Sequence, residues 1–139
     1  MTKWKTTRNN IAVLAFGTSQ IIALAERVKE AMTTLGIKEQ GEIDQIISIA
    51  KPMQGPLDAI LDEVLDNGKL IERECEIDKG TVVLLAETTA RAEGLAERAG
   101  EFIVLLNMQA KSDLQEIAKT AMRMNFDVCS VMDDNQTRS

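Results

Sequence analysis

The sequence contains no histidine. That removes the commonest general base and the commonest metal ligand together. Aromatic residues make up 3% of the chain, so any core is aliphatic, built from Leu, Ile, Val, Ala and seven Met. The same scarcity argues against single-stranded nucleic-acid platforms, which stack bases on exposed rings. Only two cysteines occur, Cys75 and Cys129, and neither belongs to a CxxC pair. Two free thiols fit a reducing, cytoplasmic setting. The start, Met1-Thr2-Lys3-Trp4-Lys5, is polar rather than leader-like. No apolar run approaches the roughly 18 residues of a membrane span. Basic residues are in deficit: 16 Lys and Arg stand against 22 Asp and Glu, for a net charge of -6 and a pI near 4.7. Such a surface repels phosphate, so neither nucleic acid nor an anionic membrane is expected as a partner.

What is present is ordinary for a globular chain: 139 residues, 45% apolar and 27% charged. One domain is expected over residues 1–139, with 1–9 an N-terminal arm and 133–139 a flexible tail. Short apolar runs alternate with amphipathic stretches. Ile11–Phe16, Ile43–Ala50, Thr81–Ala86, Phe102–Leu106 and Asp127–Met132 read as strands buried on both faces. Between them Ile21–Leu35, Leu57–Leu65, Ala90–Ala99 and a segment opened by the capping pair Ser112 and Gln115 read as helices. Gly36 sits where a left-handed helix stop is wanted. Residues 69–77 alternate and predict a half-exposed strand, turning at Asp78-Lys79-Gly80 into an antiparallel partner; a helix there is the competing reading. The pattern predicts a three-layer Rossmann-like or flavodoxin-like α/β domain, mostly a parallel sheet with one antiparallel hairpin strand.

One internal similarity stands apart from this. Val13–Arg27 aligns without gaps to Leu84–Arg98, with Leu, Ala, Thr and the run Leu-Ala-Glu-Arg coinciding. Two strand–loop–helix units of one build suit a doubly wound sheet. In such sheets ligands bind beyond the carboxyl ends of strands. The loops there would be Gly17-Thr18-Ser19 and Glu87-Thr88-Thr89, with Arg91 one turn further on. Free N–H groups, small hydroxyls and a close-approach glycine make an anion site in that setting. As helix-capping residues, Thr and Ser need no such role. Neither loop carries the Gly-Lys-Ser/Thr of a P-loop or a GxGxxG turn.

Ile11–Phe16 with Gly17-Thr18-Ser19 and a helix to Gly36 resembles the opening of sugar phosphotransferase IIB-type domains of the lactose/galactitol kind. Leu85–Arg91 looks like a later strand and loop of that fold. The resemblance implies an α/β fold and a phosphoryl carrier. The family's phosphorylated cysteine has no counterpart, since Ala15 and Phe16 stand in its place and only Thr18 and Ser19 offer a nucleophile. A flavodoxin-type start matches comparably, without its second glycine or its flavin-sandwiching aromatics. The expected function is a non-catalytic module that binds a small anion or phosphometabolite, or that serves regulation or interaction. The alternatives are a small enzyme or carrier of the IIB type and a homo-oligomeric assembly protein using a helix face or the strand with Ile71, Cys75 and Ile77. No cofactor is indicated, and no metal set.

Overall fold

The computed structural model describes residues 3–36, 40–65, 74–102 and 108–137. In chain order they form β1 (Lys3–Thr7), α1 (Arg8–Thr34), α2 (Gly41–Leu65), β2 (Glu74–Asp78), α3 (Lys79–Phe102) and α4 (Met108–Thr137). The two strands pair antiparallel, and the helices form a ring in which α1 and α3 each pack on α2 and α4.

The three-layer α/β expectation is therefore corrected to a four-helix bundle capped by a two-stranded ribbon. Ile11–Phe16, Ile43–Ala50, Thr81–Ala86 and Asp127–Met132 are all helical. Each bundle helix touches two neighbours, so its buried stripe is wide and its apolar positions crowd into runs that imitate a buried strand. Lys3–Thr7, expected as an arm, is β1, with Trp4 buried beneath it; the expected tail continues α4 as far as Thr137. Asp78-Lys79-Gly80 is the junction of β2 with α3 rather than a hairpin turn. Ser112 lies inside α4. Residues 103–106 and 69–73, parts of two expected strands, lie outside the described residues. Gly36 does end α1 in the left-handed region, at φ 75°, with its N–H on the Thr33 carbonyl.

The internal similarity has a structural counterpart. The shift that takes Val13 to Leu84 also takes β1 onto β2 and the start of α1, Arg8, onto that of α3, Lys79. It carries Ile11 to Val82, Leu14 to Leu85, Ile46 to Ile117, Ala50 to Ala121 and Met53 to Met124, and all ten are buried. Thr18 and Thr89 correspond too, and each hydroxyl donates 2.7 Å to the carbonyl four residues back, Leu14 and Leu85. The chain is a tandem βαα repeat. Its strands pair in the register Lys3–Asp78, Lys5–Glu76 and Thr7–Glu74, so the equivalent residues Lys5 and Glu76 face each other across an approximate two-fold axis.

Local chemistry fixes the parts. The Thr7 side chain caps α1 by accepting from the Asn10 N–H at 3.2 Å. Asn135, near the end of α4, accepts the Lys5 N–H at 2.8 Å and donates to the Lys5 carbonyl at 2.9 Å, covering the outer edge of β1. Arg27 of α1 forks onto Asp113 of α4 through bonds of 2.7 and 2.5 Å. That carboxylate is buried, and its hydrogen bonds and then its charge raise the Arg27 pKa. Asn9–Thr34, within α1, is long and apolar enough to cross a membrane by length and composition, contrary to the expectation of no such segment. In this fold its buried face supplies Ile11, Leu14, Ile21 and Val28 to the core.

Candidate functional site

Gly17, Thr18 and Ser19 lie within α1, where a helix turns each successive side chain by about 100°. They diverge accordingly. Thr18 is in the core, and Ser19 donates to Gln54 of α2 at 2.9 Å. Gly17 faces α4 closely: a Cβ there would stand 2.6 Å from the Met124 Sδ and 2.9 Å from its Cγ. In the second repeat Glu87 is exposed and Thr88 and Thr89 are buried. Arg91 turns to α2, donating to Gln45 at 3.3 Å. The two expected loops thus occupy equivalent stretches of α1 and α3, helices on opposite corners of the ring. Their amides are interior to helices and already engaged, so the free N–H groups of an anion cradle are not there.

What the fold assembles around Gly17 is a groove of about 240 Å³ between α1 and α4. Val13, Phe16, Gly17 and Gln20 line one wall; Thr120, Arg123, Met124 and Asp127 line the other. Both sets follow the i, i+3, i+4, i+7 spacing of a single helix face. Phe16 is 72% exposed and Val13 46%, large apolar surface left in solvent. Met124 is buried and forms the floor, while Arg123 and Asp127 stand on the outer side.

Thr120 marks this groove. It is 4% exposed, and its hydroxyl has no hydrogen-bond partner among the described residues. Asp78 Oδ1 also lacks a hydrogen bond, but the Lys3 ammonium lies 3.1 Å from it. Leaving a buried hydroxyl unmatched costs about 1–3 kcal/mol. It is tolerated where something else supplies the partner.

The duplication offers an internal control. Positions equivalent to the groove are Leu84, Glu87, Thr88 and Arg91 on α3 and Ile49, Pro52, Met53 and Pro56 on α2. The floor methionine is common to both, and an apolar residue stands at both Val13 and Leu84. The other six positions differ in chemical kind: Phe16 against Glu87, Gly17 against Thr88, Gln20 against Arg91, Thr120 against Ile49, and Arg123 and Asp127 against two prolines. The repeats have kept their core and parted at this surface.

A larger cavity, about 540 Å³, lies between α3 and α4 over Ala96, Leu114 and Ala118. Its polar residues, Glu97, Lys111, Gln115 and Lys119, are all exposed and carry no buried unmet donor or acceptor. No cluster of metal-ligating side chains occurs among the described residues. Cys129 is exposed on α4. Ile77, expected on an open strand, is buried opposite Trp4, and Ile71 lies outside the described residues. Comparison with protein-family models, with curated proteins and with solved structures gives no match.

Sequence reasoning named Phe16 and Gly17 and missed Thr120, Arg123 and Asp127. The available signal was the off-stripe position of Val13 and Phe16, apolar where an amphipathic helix turns to water.

Proposed function

We propose that the chain is a non-catalytic interaction module whose working surface is the α1–α4 groove, taking one bulky apolar side chain from a partner together with a polar group for the Thr120 hydroxyl. The observation that carries this is that buried, unmatched hydroxyl beside an exposed phenylalanine. The groove is smaller than the 300 Å³ or so at which small-molecule pockets usually begin, and suits a single anchoring side chain. Its lining holds one hydroxyl, that of Thr120, and no carboxylate among the described residues is hydrogen-bonded to it.

The test uses N-acetyl-phenylalaninamide as a probe of the anchor, with the methionine methyl groups observed by NMR. The Met124 methyl should shift saturably while Met53, its equivalent on the other side of the bundle, stays still. Thr120→Val should weaken the probe. Equal movement of both methyls, or of neither in a monomeric sample, would overturn the reading.

A further inference from the structure

We infer that the occupant of this face is a second copy of the chain, joined across α1 and α4 by a two-fold axis that sets each α4 antiparallel to the other; the inference rests on the groove being a docking surface. Three features of the face make it self-complementary.

The first is the placement of charge. Arg123 and Asp127 lie one turn apart on the row of α4 that borders the groove. A two-fold axis level with Asn125 sets Arg123 of each copy opposite Asp127 of the other, so one pair of residues yields two ion pairs. Each Arg123 also lies 3.7 Å from Glu116 of its own helix, so in the dimer it sits between that carboxylate and the other copy's Asp127. A parallel arrangement would oppose like charges instead.

The second is the level of the apolar residues. Gly17 packs on Met124, and Arg27 binds Asp113, so α1 and α4 run antiparallel with Phe16 close to the level of Asn125. The same axis brings the Phe16 rings of the two copies together over the groove. Phe126, 77% exposed, and Met122, 54% exposed, flank the axis on the outer side of α4. Phe16, over the groove, and Phe126, on the outward side of α4, thus both lie in solvent at one height. That is the apolar centre with charged surroundings of a protein interface.

The third is overall charge. At net -6, two copies repel one another at most orientations. The reciprocal Arg123–Asp127 pairs are where that repulsion reverses.

The experiment is sedimentation equilibrium of the full chain from micromolar to millimolar concentration, with helicity followed by circular dichroism. The wild type should approach twice 15.3 kDa. Arg123→Asp and Asp127→Arg should each raise the dimer dissociation constant at least tenfold, and the two together should restore it. Phe16→Ser should also give a monomer of unchanged helicity. A wild type that stays monomeric throughout, or a dimer indifferent to Phe16→Ser and to the charge reversals, overturns the inference. If the chain is monomeric while the Met124 methyl still responds to N-acetyl-phenylalaninamide, the second copy is wrong and the groove reading stands. If neither occurs, both fall.

Discussion

At Thr120 stability and recognition pull in opposite directions. The hydroxyl is buried without a hydrogen-bond partner among the described residues, so exchanging it for a methyl removes a desolvation penalty while keeping the shape. Thr120→Val is expected to raise unfolding stability by about 1 kcal/mol, read from urea denaturation, while weakening the docking probe. Gly17 is the converse case. Gly→Ala inside a helix gains about 1 kcal/mol from propensity, and overpacking a tight contact costs about 1–3 kcal/mol. With Met124 buried and only 2.6 Å from the new carbon, the second effect is expected to win, and Gly17→Ala should lower stability by about 1 kcal/mol. An alanine that stabilised the chain would show that Met124 can move away freely.

Among the elements, β1 depends on a helix it never touches in sequence. Asn135 gives the Lys5 peptide both its outer hydrogen bonds and adds a third to the Val131 carbonyl. Asn135→Ala should cost about 1–2 kcal/mol, and hydrogen exchange at the Lys5 amide should quicken while the α1 core amides keep their protection. The elements also show what the sequence could tell. The stripe from Leu57, the stop at Gly36 and the alternation near Cys75 were legible because each is a local pattern. Ile11–Phe16 was not, because helix and strand differ there only in where Val13 and Phe16 point. Their outward, apolar positions made the run continuous and concealed the helix. The docking face itself obscured the fold. Its other half, Thr120, Arg123 and Asp127, lies a hundred residues away, and only the antiparallel course of α4 brings it alongside.

For the whole molecule, the tandem repeat predicts paired energetics. Leu14 and Leu85 occupy equivalent core positions, 2% and 0% exposed. Leu14→Ala and Leu85→Ala should each cost about 2–5 kcal/mol, alike to within about 1 kcal/mol, in a single cooperative transition. Phe16→Ala and Glu87→Ala, equivalent positions on the diverged surface, should each stay within about 0.5 kcal/mol of wild type. Clearly unequal leucine costs would mean that the halves no longer share one core. The repeat was visible in the sequence as the match of Val13–Arg27 to Leu84–Arg98. Its meaning was not, since the same coincidence fits two turns of a parallel sheet or two halves of a bundle.

The ribbon at the two-fold axis bears on how the chain is made. The first βαα half leaves the ribosome before the second exists, carrying a strand whose natural mate has not been synthesised. Two such nascent halves meeting edge to edge would oppose Lys5 to Lys5 and pair Lys3 with Thr7, with no acid on either side. Only the later strand, with Glu76 at the centre and Asp78 to meet Lys3 at 3.1 Å, supplies the opposite sign. With Lys against Glu at its axis, the ribbon favours pairing of the first strand with the second of the same chain over pairing of two first strands.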